Sequence, residues 1–360
     1  MRDDEYCRRT LSRVSRTFAL AIRVLPAGLK RSVLPAYLLC RIADTLEDDT
    51  SLPAAERAAA LERYAEVSGG FLRGERTAQD AGELQAALDE LGRRSALGGE
   101  DAAASWSLAG NVTAVLNSTA GLPGTDRAFM AECVTEMARG MAGFVRRESD
   151  GVDSGGRLPP LVGRLRDETD LVRYADCVAG NVGRFLQRSF CHSLGLEGGA
   201  TRETLERTAF HFSLGLQFTN IIQDIVADRR RGWCYVPETL LGFHGLTAEN
   251  WLDPGQREQA LEVVKDLIRK ALDHLEGALE FTLTIPRRAP RVRLFCLWPL
   301  FLALATLTRA WGNPAVLDEK VKVERREVRR LVRATSLRCL WSGALRRLYV
   351  KEADWLQARV

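Results

Sequence analysis

Four carboxylates close the run SVLPAYLLCRIADTLEDD: Asp44, Glu47, Asp48 and Asp49. An ionised carboxylate is costly to bury unless a cation or a hydrogen-bond donor meets it. On a helix, residues i, i+3 and i+4 share a face, so Asp44, Glu47 and Asp48 converge. NIIQDIVAD repeats the pattern: Asp224 and Asp228 are again four residues apart, and Asn220, one turn earlier, extends the stripe. Each copy follows a segment rich in apolar residues. One acidic pair is ordinary on a solvated helix. Two pairs of mutually repelling charges, each ending an apolar helix, point to a cation. All-oxygen ligands without His or Cys suit a hard ion such as Mg²⁺, which bridges carboxylates to phosphate oxygens. Arg41 lies one turn before Asp44, and Arg229, Arg230 and Arg231 follow Asp228 directly. Carboxylates for a metal beside arginines for phosphate are the parts of a diphosphate site, whose remaining walls would be apolar and suit a greasy chain.

The elements that must position these groups read as helices. Ala, Leu, Arg and Glu are abundant, and apolar residues recur at three- and four-residue spacing in Leu61–Leu72 and Leu261–Leu275. Alternating strand-like runs are hard to find. Breaks fall at Gly69-Gly70, Gly98-Gly99, Gly121 to Gly124, SDGVDSGGRLPP, Gly198-Gly199, IPRRAP and GNP, cutting the chain into about a dozen helices. No stretch reads as a convincing domain linker, the best candidate being Gly151–Pro160. The expectation is an all-α fold, a single domain over residues 1–360 with helices around a central cavity.

Composition sets limits on partners and compartment. With 46% apolar and 27% charged residues, the chain has the make-up of a soluble globular protein. A net charge of +4 is too small to argue for nucleic acid. The basic residues are uneven, however: Arg229 to Arg231 run together, and Arg287, Arg288, Arg291 and Arg293 are expected to crowd one loop. Such clusters suit anionic ligands or lipid headgroups, solvated surface being the plainer reading. Peripheral contact with a membrane through a basic or apolar surface is therefore an expectation; oligomeric state is not legible. Eight cysteines form no CxxC pair and no zinc spacing, and sit mostly in apolar stretches, as in a reducing cytoplasm. MRDDEYCRR lacks an apolar signal region, and nothing at the C-terminus resembles a tail anchor. LFCLWPLFLALATLT, with Pro299 inside it, is shorter than the roughly 20 residues a spanning helix needs and is expected to be a buried core helix.

Several blocks, in order, give the chain a resemblance over nearly its whole length. SRTFALAI (Ser15–Ile22), RIADTLEDD (Arg41–Asp49), MARGMAGF (Met137–Phe144), YADCVAGNVG (Tyr174–Gly183), QFTNIIQDIVAD (Gln217–Asp228), FCLWPLFLALATL (Phe295–Leu307) and KVKV from Lys320 resemble the squalene and phytoene synthase family of head-to-head prenyltransferases, most nearly its squalene-forming branch. The resemblance implies an isoprenoid synthase fold in which the two acidic motifs face each other across a cavity. It implies that Asp44, Glu47, Asp48, Asp224 and Asp228 hold Mg²⁺ against a prenyl diphosphate substrate. Ser15, Arg16 and Thr17 belong to a substrate-contacting segment, and Arg16 and Arg41 stand where the family contacts diphosphate. Tyr174 matches a tyrosine of the first half-reaction, and Gln217 and Asn220 match polar cavity residues. Phe295, Lys320, Lys322 and Arg325 correspond to the NADPH region. The implied activity joins two farnesyl diphosphates through presqualene diphosphate and reduces the product to squalene. Phe18, Phe185, Phe212 and Phe295 are candidate cation-stabilising walls.

The chain also departs from the family pattern. Gln223 stands where the family often has Arg, Trp233 where an Arg is expected, and Glu324 where a basic residue would better suit a 2′-phosphate. The same residues therefore leave open a same-fold enzyme making dehydrosqualene, phytoene or presqualene diphosphate without reductant. A non-catalytic helical binding protein is the rival of another class.

Overall fold

The computed structural model describes residues 3–15, 17–148 and 160–357 of the 360. The chain is 77% helical, in agreement with the all-α reading. Among the described residues, regular β structure is a single parallel pair, β1 (Gly163–Arg164) beside β2 (Trp233–Cys234). Sixteen α-helices are present among those residues rather than about a dozen. The excess comes from elements of six to eight residues, too short to show a helical period.

Two compact units make up the chain. The first comprises residues 1–148 and 184–196; the second, 149–183 and 197–360. In the first, α3 (Ala27–Asp48) and α4 (Ala54–Arg73) pack on α8 (Gly124–Val145). The chain boundaries here follow from local chemistry. Helix α4 stops at Gly74, whose φ of +81° is a left-handed conformation that only glycine adopts cheaply. Helix α5 (Ala78–Arg94) starts at Thr77, whose hydroxyl accepts from Asp80 N while Asp80 accepts from Thr77 N at 2.7 Å, a reciprocal cap.

In the second unit, α11 (Ala200–Arg230) lies along α13 (Arg257–Thr284), and α14 (Pro290–Ala310) packs on both. Gly215 permits the α11–α13 approach: a Cβ there would come within 3.1 Å of Leu275 N. Gly183 does the same for the YADCVAGNVG block, since a Cβ would meet the Ala209 carbonyl of α11 at 2.8 Å. Helix α14 contains the LFCLWPLFLALATLT run. By length and composition it could cross a membrane, but 72% of its most apolar window is buried inside the protein, as expected of a core helix. Its N-terminus corrects the reading of a crowded basic loop. Arg291 and Arg293 are helical, and Arg293 is 2% exposed, donating to the carbonyls of Ile285 and Leu283 at 2.7 Å and of Cys339 at 3.0 Å. Burial, with Arg287 nearby, pulls its pKa down. All eight cysteines are free thiols, seven of them buried.

Candidate functional site: two acidic helix ends

Helix α3 ends in DTLEDD, and its carboxylates divide into two kinds. Asp44 and Asp48 are half-buried and lie on one face, while Glu47 is only 3% exposed. Asp44 accepts from Arg41 Nη1 at 2.8 Å, one turn back on the same helix. Burial opposes the charge of Arg41, but Asp44, Tyr37 and Asp48 outweigh it and raise the guanidinium pKa. Asp49 is a structural residue. It is fully buried and accepts from Trp106 Nε1 at 3.0 Å, Ser51 N at 3.1 Å and the Ser51 hydroxyl. The fourth carboxylate of the motif thus caps the helix exit and ties it to α6 (Glu100–Ala109).

Arg57, which the sequence reading did not single out, completes this end. It is 1% exposed, donates to the Glu47 carbonyl at 2.6 Å and to the Leu52 carbonyl at 3.2 Å, and pairs with Glu148. A helix leaves its last carbonyls without intrahelical partners; here a buried guanidinium satisfies one of them. No periodic signal marks such a residue, because its partners are distant in sequence. Of the segment before α3, Arg16 lies outside the described residues, as does the side chain of Thr17, which opens α2 (Thr17–Val24). Ser15 Oγ accepts from Phe18 N at 3.2 Å and so caps that helix.

On α11, Gln217, Asn220, Asp224 and Asp228 follow one another at three- and four-residue steps, as the sequence stripe requires. Asn220 is exposed, Gln217 and Asp224 half-buried, and Asp228 buried at 6%. Lys320 Nζ meets Asp224 Oδ1 at 2.6 Å, and Arg231 pairs with Asp228. Gln223, the departure from the family pattern, donates to the Val321 carbonyl at 2.9 Å. Two adjacent residues of α11 therefore hold the non-helical segment 320–324, which carries Lys320 and Lys322. Trp233, the other departure, belongs to β2. A Cβ at Gly163 would collide with its indole ring. Arg231, not residue 233, provides the cation beside the second aspartate. Arg229 is buried, and burial lowers its pKa.

Tyr174 ends α9 (Glu168–Ala175) and is 4% exposed. It enters a three-ring stack: Tyr174 on Tyr235 at 4.5 Å between centroids, and Tyr235 on Trp233 at 5.1 Å. The π-helical turn Asp176–Gly180 follows it directly; such turns recur at functional sites. Asp228, Trp233 and Tyr235 also line a cavity of about 10 Å³, room for about one water. Of the candidate wall residues, Phe185, Phe212 and Phe295 are all 3% exposed or less, and Phe212 stacks on Phe281.

Among the described residues, no three His, Cys, Asp or Glu side chains gather as a ready-made metal set. The donors still fit Mg²⁺, which typically takes one or two carboxylates and completes its shell with water and phosphate oxygens. Each helix end offers two aspartates four residues apart, with Arg41 on Asp44 at the first and with Lys320 on Asp224 and Arg231 on Asp228 at the second. Of the residues expected to meet NADPH, Lys320, Lys322 and Arg325 are exposed and suit an anionic phosphate, whereas Phe295 is 2% exposed within α14. Glu324, also exposed, pairs with Arg309 at 3.3 Å.

These elements define an all-α fold with acidic ends on two long helices, and comparison with known proteins agrees. The structure superposes on the complex of TcSQS with the ligand E5700 with a TM-score of 0.76, at 24% identity, over 99% of this chain and 92% of that one. The squalene/phytoene synthase family profile matches residues 11–327, and the chain belongs to that family of prenyltransferases. It is 28% identical over 318 residues to squalene synthase BSS of Botryococcus braunii, covering 86% of this chain and 59% of that protein. It is 30% identical over 282 residues to a bifunctional lycopene cyclase/phytoene synthase of Colletotrichum graminicola, covering 78% of this chain and 42% of that protein. The chain thus spans less than two thirds of the length of both relatives.

Proposed function

We propose that the protein condenses two farnesyl diphosphates head to head and carries the product to squalene, using Mg²⁺ and NADPH. The observation that carries this reading is the repeated aspartate pair at the ends of α3 and α11, with basic side chains against three of the four carboxylates. Asp44, Asp48, Asp224 and Asp228 are the residues that would hold Mg²⁺, with Glu47 buried behind the first pair. Bound there, the metal would supply positive charge against a departing diphosphate. Arg41 and Arg231 are poised to exchange a carboxylate for a phosphate oxygen, a charge-assisted contact of similar geometry.

Departure of diphosphate from one substrate leaves an allylic cation, and the double bond of the second substrate attacks it. Loss of one proton then gives presqualene diphosphate and free diphosphate. Tyr174, with its ring packed on Tyr235, is the residue assigned to this half-reaction. The stacked rings of Tyr174, Tyr235 and Trp233 give that region an aromatic wall that favours positive charge. Squalene then requires presqualene diphosphate to lose its own diphosphate, the resulting cation to rearrange, and a hydride to be added. Lys320, Lys322 and Arg325 would hold the 2′-phosphate of NADPH, which would supply that hydride. A second reading, release of an unreduced product, is favoured by the burial of Phe295 and the acidic Glu324 beside those bases.

Incubation of the protein with farnesyl diphosphate and Mg²⁺, with and without NADPH, followed by mass spectrometry of the products, tests both. Squalene only with NADPH supports the first reading. Presqualene diphosphate or dehydrosqualene under both conditions replaces it with the second. No product, with geranylgeranyl diphosphate also tried, contradicts both.

A further inference from the structure

Exposed large apolar side chains are few among the described residues: Leu97, Phe243, Leu337, Leu340, Trp341 and Val350. Four of the six fall between residues 337 and 350, on the turn joining α15 (Arg325–Ser336) to α16 (Ser342–Gln357) and on the first turns of α16. Leu337 is 70% and Trp341 58% exposed. The turn is held firmly. Buried Arg293 donates to the Cys339 carbonyl at 3.0 Å, and Trp341 N donates to the Arg338 carbonyl at 2.8 Å. The apolar tip is thus presented on a fixed stem.

Charge surrounds this tip. Between Arg325 and Lys351 there are nine basic residues and one acidic residue, Glu327. On α15, Arg326, Arg329, Arg330 and Arg333 follow the i, i+3, i+4, i+7 rule and are exposed, while Leu331 and Thr335 are buried. On α16, Arg346, Arg347 and Lys351 are exposed, while Leu345, Tyr349 and Ala353 are buried. Glu327 is taken by Arg309 at 2.7 Å, and the neighbouring Glu352 by Arg330 at 2.6 Å. Arg330 is thereby paired, while Arg326, Arg329, Arg333, Arg346 and Arg347 remain exposed.

We propose that the α15–α16 turn docks the protein on an anionic lipid bilayer, with Leu337, Leu340 and Trp341 entering the headgroup layer and the flanking arginines meeting lipid phosphates. Trp is at home at that depth, its ring apolar and its N–H wet. An apolar tip set in a basic face is the composition of interfacial anchors. Each Lys or Arg near an anionic surface adds attraction on the order of 1 kcal/mol, which is several-fold in partitioning. A second copy of the chain is disfavoured as occupant, since apposing two such faces brings like charges together. The proposal does not depend on which product the enzyme releases.

Flotation of the full chain with phosphatidylcholine vesicles, with and without about one third phosphatidylglycerol, tests it at low and high salt. Co-flotation with the anionic vesicles at low salt, lost at high salt, is expected. The doubles Leu337→Ser/Trp341→Ser and Arg346→Glu/Arg347→Glu should each lower partitioning by on the order of tenfold with unchanged circular dichroism and melting. Phe243→Ser, at an exposed apolar residue outside the patch, should leave flotation as it is. Absence of flotation, equal flotation on neutral vesicles, or an equal loss in Phe243→Ser would overturn the proposal. So would a concentration-dependent dimer that Trp341→Ser abolishes, which would make a second copy the occupant.

Discussion

At the end of α3, the first aspartate is met by Arg41 from the same helix and the exit is locked by buried Arg57, Asp49 and Trp106. At the end of α11, the first aspartate is met by Lys320, ninety-six residues later, on a segment with no helical hydrogen bonds of its own. The same aspartate spacing is therefore built into a rigid exit in one place and clipped by a distant strand of chain in the other. A buried, fully bonded polar network fixes a single geometry. A partly exposed ion pair with a flexible lysine holds weakly and exchanges readily. The first end should thus respond to mutation through stability, and the second through local order.

The sharpest break of the first end is Arg57→Met. Removing Arg57 takes away the buried guanidinium that pairs with Glu148 and donates to the Glu47 carbonyl, and should cost about 3–5 kcal/mol, read as a lower denaturant midpoint. A loss under about 1 kcal/mol would mean that the exit is not held as described. Asp49→Ala leaves Trp106 Nε1 without its acceptor and frees the exposed Ser51 from the helix exit, and should cost about 1–3 kcal/mol by the same measurement.

Acid should act on the seat of the second end. His211 on α11 and His274 on α13 approach at 3.0 Å between Nδ1 atoms, with Phe210 and Phe218 packed against His274. Burial, and then His211, lower the His274 pKa to about 4; Asp273 and Glu168 act to raise it and Lys270 to lower it. The unfolded chain, with an ordinary histidine pKa near 6.5, takes up this proton first. The contribution to stability is therefore complete above about pH 6.5 and is lost as pH falls toward 4. After allowance for partial exposure it amounts to about 1–2 kcal/mol. Thermal melts of wild type and His274→Phe across this range should converge on acidification; parallel curves would contradict the assignment.

The smallest effect belongs to Gln223→Ala. It removes one hydrogen bond to the Val321 carbonyl, about 1 kcal/mol or less. Faster amide exchange confined to residues near 320–324 is the expected readout, and unchanged exchange there would show that the segment is held by other contacts.

The sequence was most legible where periodicity speaks. The stripe Asn220, Asp224, Asp228 and the core helix around Pro299 follow from spacing and apolarity alone, as does the separation of most long helices at Gly and Pro. It was least legible where polar groups bond across the fold. Asp49 reads as one more carboxylate beside Asp48, yet it is a buried cap. Arg293 reads as one of four loop arginines, yet it bonds three carbonyls. Gln223 reads as a missing arginine, yet it holds the Val321 backbone. Such roles depend on partners tens of residues away, which no local pattern encodes.

Calorimetric titration with inorganic diphosphate in the presence and absence of Mg²⁺ tests most directly whether both helix ends serve one chemistry. The account predicts Mg²⁺-dependent binding in the wild type, weakened at least tenfold in Asp44→Asn and in Asp224→Asn alike, with melting temperatures unchanged. Binding that survives either substitution, or that needs no Mg²⁺, would contradict it.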